Sequence, residues 1–128
     1  MGERASAFVR QLQARARRGF QGYPVGTVAY YGPDDRIATK VVVGIILSEG
    51  GEVDHLEKWI TPGSDVREDA TVLQAVLGLL EARKVRSVVV TPGIYGCPHE
   101  EGIDYPEGEP CPHCPFWAGR ERDDIFGR

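Results

Sequence analysis

All three cysteines and two of the three histidines of this chain fall within one stretch, GCPHEEGIDYPEGEPCPHCPFW, running from Gly96 to Trp117. Thiolate and imidazole are the ligands that zinc takes in a tetrahedron. A Cys-x-x-Cys turn presents two thiolates from one tight loop, and a distant pair closes the site. Cys111 and Cys114 form such a turn, and Cys97 with His99 supplies the opposite pair, with thirteen residues between Cys97 and Cys111. The expected ligand set is therefore Cys97, His99, Cys111 and Cys114, with zinc as the cofactor. His113 is the rival for the fourth position, but it sits inside the Cys-x-x-Cys turn, where its ring is expected to point outward. The competing picture is of unreactive thiols packed with Phe116 and Trp117, since free cysteine often behaves as a small hydrophobe. Three thiolates fit a four-cysteine iron–sulfur cluster poorly. An odd number of cysteines cannot all pair within one monomer, which argues against a disulfide scaffold.

Two resemblances attach to these residues. His99-Glu100-Glu101 followed by Pro110-Cys111-Pro112-His113-Cys114 is similar to the His-x-Glu and Pro-Cys-x-x-Cys signature of zinc-dependent nucleobase deaminases. That resemblance implies zinc on His99, Cys111 and Cys114, with Glu101 moving protons. In that family the two motifs open separate helices with a strand between them, whereas eight residues, two of them glycines, separate Glu101 from Pro110 here. Cys97 would also occupy the position that a catalytic zinc leaves open for water. The tail further resembles that of small bacterial proteins ending in a GCPHEEG…CPxCPFW stretch, and the segment YPVGTVAYYGPDD is similar too. This second resemblance implies a bacterial, cytoplasmic origin and carries no activity.

The elements that must position this tail are legible from periodicity. The chain has 128 residues and a mass of 14.1 kDa, the size of one domain. Ala5, Phe8, Val9, Leu12 and Ala16 recur at helical spacing, while Arg4, Arg10, Arg15, Arg17 and Arg18 take the other side, so residues 1–20 read as a basic amphipathic helical arm. Gly19, Gly22 and Pro24 stop it. Val25 to Tyr31 and Arg36 to Leu47 are rich in β-branched and aromatic residues, and the intervening Gly32-Pro33-Asp34-Asp35 is turn chemistry, which makes a hairpin. A third strand is expected from His55 to Thr61, and a helix from Val66 to Lys84 with Val72, Leu73, Val76, Leu77 and Leu80 on its apolar stripe. Ser87 to Val90 reads as a short strand buried on both faces and parallel to a neighbour. From Gly93 onward, glycine and proline predict irregular structure.

The expected fold is therefore α/β in content and α+β in arrangement. It comprises an N-terminal amphipathic helix, a three-stranded antiparallel meander, a crossover helix, a fourth parallel strand and an irregular Cys/His tail. A right-handed crossover places the last strand beside the first, as in the first half of an RNase H-like sheet by topology alone. The mixed sheet-and-helix core spans 21–96 and the zinc-binding tail 97–128. Without the arms the core is only about 75 residues, a size at which a metal staple commonly supplements the hydrophobic core.

Charge and composition narrow the function. The net charge is −4, yet residues 1–20 carry five Arg and one Glu, or +4, which leaves −8 on the remainder. Arg10, Arg15, Arg17 and Arg18 are thus candidates for contact with an acidic macromolecular surface, on another protein or a second subunit. RNA is the weaker expectation, because Glu100, Glu101, Asp104, Glu107 and Glu109 crowd the stretch from Cys97 to Gly119, where no Lys or Arg offsets them. The longest apolar run, Val41 to Leu47, falls far short of the roughly 20 residues of a membrane span. The N-terminus has no apolar leader core, which points to a reducing cytoplasm, although its Arg-rich amphipathic pattern also looks like an organellar transit segment. A two-metal nuclease is disfavoured, since Val25 to Tyr31 carries no carboxylate and Asp34-Asp35 suits a turn. A Cys97–His99 nucleophile–base pair lacks an orienting group, and no glycine cluster has P-loop spacing. The reading that results is a zinc-stabilised binding or interaction protein with no catalytic residue assigned. The alternative is a small metal-dependent hydrolase or deaminase using Glu100 or Glu101 as proton carrier, and RNA binding through the Arg-rich helix comes next.

Overall fold

The computed structural model describes residues 3–109 and 111–117; Pro110 and the end of the tail from 118 lie outside the described residues. Six main elements follow in order: α1 (Glu3–Arg17), β1 (Val25–Tyr31), β2 (Lys40–Ile46), β3 (Val53–Ile60), α2 (Ala70–Ala82) and β4 (Ser87–Gly96). The strands form one sheet in the order β3-β2-β1-β4, antiparallel except for the parallel pair β1 and β4. This is the expected α+β arrangement, with the crossover through α2 laying β4 beside β1.

Alternation along the strands sorts the sheet into two unlike faces. On one, Val28, Tyr30, Val41, Val43, Ile45 and Val88 are buried together with Leu12 of α1 and Leu73, Val76, Leu77 and Leu80 of α2. Both helices therefore cover the same face, and the core is a single layer between them and the sheet. Gly26 on β1 makes this approach close, since a Cβ there would meet Leu80 Cδ2 at 2.5 Å. Arg15 adds a polar tie, donating from its guanidinium to the Val85 carbonyl just beyond α2 at 2.7 Å. The opposite face has no helix among the described residues, and Val53, Leu56 and Val89 stay substantially exposed there.

Three boundaries differ from the sequence reading, each for a physical reason. β2 starts at Lys40 and not at Arg36, because the backbone before it is engaged elsewhere: Asp34 Oδ1 accepts from Arg36 and Ile37, and Ala38 bonds Asp65 and Val66. The expected Val66–Lys84 helix is broken in two. A 3-10 turn, Val66–Glu68, is capped by Asp65, and Asp69 then caps α2 through Val72 N–H at 3.1 Å. β3 begins at Val53 and carries a bulge, since Ile45 faces His55 while Ile46 faces Val53.

β4 departs most. It continues past Val90 to Gly96, with shifts of register where Val28 faces Val90, Tyr30 faces Ile94 and Tyr31 faces Gly96. A bulge at 91–93 absorbs Pro92, which lacks an N–H and is tolerated at an edge, and Gly93, whose φ of +62° suits glycine. The strand is not buried on both faces either, because Val89 lies on the face that no described helix covers and remains 48% exposed.

Leu12 is fully buried, so Leu12→Ala is expected to cost about 2–5 kcal/mol of unfolding free energy, read from the urea midpoint. A midpoint equal to that of the parent chain would mean that α1 does not pack in solution. A second expectation concerns Asp65. Burial pushes its carboxyl up, but hydrogen bonds from the Arg67 side chain, the Arg67 N–H and the Ala38 N–H outweigh this and hold it below the usual carboxylate range. Its stabilising contribution is present above about pH 4 and is lost as pH falls through the lower folded value. Asp65→Asn should destabilise the chain at pH 7 and converge with the parent in acid.

Candidate metal centre

The extension of β4 delivers Cys97 directly from the sheet. Gly32 N–H, just after β1, donates to Gly96 O at 2.8 Å, so the residue before Cys97 is locked to the end of the central strand. The Cys-x-x-Cys turn comes back over it and is anchored by Trp117, whose indole Nε1 donates to Gly32 O at 2.7 Å. Between these fixed ends, Glu100 to Tyr105 forms a compact turn. Asp104 Oδ2 accepts from Glu100 N–H at 2.7 Å, Gly102 N–H donates to Tyr105 O at 2.8 Å, and the Tyr105 ring is buried.

These constraints bring Cys97, His99, Cys111 and Cys114 together, with one ligand atom of each within 4.8 Å of all the others. His99 Nδ1 is the common point, lying 3.3, 3.5 and 3.4 Å from the sulfurs of Cys97, Cys111 and Cys114. A tetrahedral ion with zinc–sulfur bonds of about 2.3 Å and a zinc–nitrogen bond of about 2.05 Å separates sulfur from nitrogen by about 3.6 Å. The three contacts are close to that value, so the four residues can hold a metal ion. The sulfurs form no disulfide. His113 is not in the cluster; its side chain is exposed and its ring centroid lies 5.1 Å from that of His99.

Burial is steep here. Cys97 is 3% exposed and Cys114 2%, whereas Cys111 is only half-buried. Burial pushes both deep thiols up from their ordinary values, and at Cys114 the neighbouring sulfurs add to the effect. At Cys97 the backbone N–H of His99, 3.3 Å from Sγ, works in the opposite direction. A divalent ion would take the place of the protons.

The two glutamates are both engaged. Glu100 Oε2 lies 2.6 Å from Lys58 Nζ and 3.6 Å from Lys40 Nζ, and the Lys58 contact leads in holding its carboxyl below the usual range. Glu101 Oε2 accepts from Gly108 N–H at 2.7 Å. Of the basic residues expected to meet a partner, Arg10, Arg17 and Arg18 are exposed, while Arg15 is half-buried in its tie to Val85. Lys40 escaped the sequence reading: it is only 5% exposed and its Nζ donates to Pro98 O at 2.9 Å. The one hint in the sequence was a lysine heading the valine run of β2.

No protein-family model, curated protein or solved structure matches this chain, so its function is read from the chemistry of the cluster itself. Cobalt(II) added to the full chain should give intense sulfur-to-metal charge-transfer absorption in the near ultraviolet. His113→Ala should keep that spectrum, whereas His99→Ala should lose or shift it. The reverse pattern would exchange the two histidines as ligand.

Proposed function

We propose that the chain is a small binding module whose tail is stapled by one structural zinc ion held by Cys97, His99, Cys111 and Cys114. The observation that carries this reading is the convergence of four protein ligand atoms on one point. Four protein ligands close a tetrahedron, whereas a catalytic zinc keeps a position for water or substrate. The engagement of Glu100 by Lys58 and of Glu101 by Gly108 also weighs against a free proton carrier beside the metal, which the deaminase or hydrolase reading requires. Zinc is favoured over harder ions by three thiolates and an imidazole. Its contribution would be to fold energy, since among the described residues of the tail Trp117 is the one that packs against the main core.

Binding through surfaces of opposite sign accounts for the remaining features. Arg10, Arg17 and Arg18 line the exposed side of α1, and the acidic turn around the cluster lies at the end of the sheet. A protein that carries an acidic patch for α1 and a basic one for the acidic turn suits the pair better than RNA does, because the uniformly anionic RNA backbone would be repelled by the stretch from Cys97 to Glu109. No helix among the described residues is long and apolar enough to cross a membrane. A reducing cytoplasm suits three cysteines that serve as thiolate ligands.

Protein purified without chelator should hold one zinc per chain by elemental analysis. Cys111→Ser should lose it and melt at lower temperature, and retention of zinc by the parent should fall as pH drops, because the thiols must give up their protons to bind. A parent chain free of metal would end this reading. Tight binding of a short single-stranded RNA, weakening linearly in logarithm with salt, would move the partner class from protein to RNA.

A further inference from the structure

The buried lysine beside the cluster has no role in the reading so far. Lys40 opens β2 and points to the sheet face that lacks helices. There it lines, with Cys97, His99, Tyr31 and Lys58, an open cleft of about 710 Å³. Among the described residues its ammonium neighbours the Pro98 carbonyl at 2.9 Å, Glu100 Oε2 at 3.6 Å and the Tyr31 ring, whose centroid is 5.9 Å away. Pro98 stands between two of the four ligand residues, so this bond fixes the short segment that carries Cys97 and His99. Glu100 Oε2 is shared between two ammonium groups, Lys58 at 2.6 Å and Lys40 at 3.6 Å, so one carboxylate faces two positive charges. An ammonium removed from water needs a compensating negative charge.

The metal reading supplies that charge. Three thiolates and one neutral imidazole around a divalent ion sum to −1, and this charge would sit against the largely buried sulfurs of Cys97 and Cys114. Resting on that reading, we infer that Lys40 is the counter-ion and positioning residue of the loaded centre, matching its single excess negative charge and holding the Cys97-Pro98-His99 segment in ligating geometry. One buried ammonium offsets a divalent ion on three thiolates. A monovalent ion would leave −2 and a trivalent ion zero, so the same lysine biases the site toward divalent metals.

The test is competition for zinc between the full chain and a chromophoric chelator, with four variants. Lys40→Met is expected to lower zinc affinity about 10- to 100-fold, the range typical of groups that orient or support metal ligands. Lys40→Arg should recover most of the loss. Lys40→Gln keeps a donor for the Pro98 carbonyl without the charge, and it should fall with Lys40→Met while its cobalt spectrum still reports three sulfur ligands. Lys58→Met, which touches Glu100 but not Pro98, should bind zinc like the parent. If Lys40→Met fails to fold by circular dichroism, Lys40→Gln carries the comparison. Parent-like affinity in Lys40→Gln, or an equal loss in Lys58→Met, overturns the counter-ion role and leaves the zinc site standing. A parent chain that takes up no zinc overturns both.

Discussion

One row of the sheet governs everything at the functional end. Tyr31 closes β1, and it faces Lys40 on its antiparallel side and Gly96 on its parallel side. Because Gly96 is held there, Cys97 must emerge at the end of the central strand, and because Lys40 is held there, an ammonium must lie under the chain that follows. The Gly32 backbone extends the same anchor by one residue, taking Gly96 through its N–H and Trp117 through its carbonyl. Two backbone pairings and one indole bond thus gather groups from four distant parts of the chain. Slip of β4 by one residue would turn its side chains to the other face and separate Cys97 from the rest.

The molecule divides its sources of stability accordingly. Apolar burial is concentrated on one face, where Leu12, Val43, Ile45, Leu73 and Leu80 are fully enclosed between sheet and helices. Among the described residues of the tail the buried groups are fewer: two thiols, Cys97 and Cys114, and the Tyr105 ring. Metal coordination suits such a segment because its energy is directional and independent of apolar area.

How much of this was legible beforehand depends on the range of the interactions concerned. The helices, the meander and the parallel return of β4 follow from local periodicity and from the handedness of crossovers, and both are written in short windows of sequence. The Cys97/His99 and Cys111/Cys114 pairs were visible because spacing alone constrains them. The continuation of β4 through Pro92 and Gly93 was not, since a bulge reverses the usual meaning of those residues and only the partner strand reveals it. The break at Asp69 was hidden for a related reason: two aspartates four residues apart each cap a separate turn, where a single helix start was the simpler pattern. Lys40 was the least legible of all. Its burial is created by a segment nearly sixty positions away, at Pro98, and no local pattern records that.

The two bulges have a further consequence for how the molecule behaves among copies of itself. A four-stranded sheet that does not close leaves unpaired N–H and C=O groups along both outer strands, and strands rich in valine and isoleucine are the kind that recruit strands from other chains. Here each outer strand is interrupted. β4 is bent at 91–93, with a proline that offers no donor, and β3 is offset at Asp54, where a carboxylate stands out beside the mismatch. Neither edge presents a long, flat ladder for continuous addition. The kink that carries Cys97 to the cluster therefore also interrupts the β4 edge of the sheet.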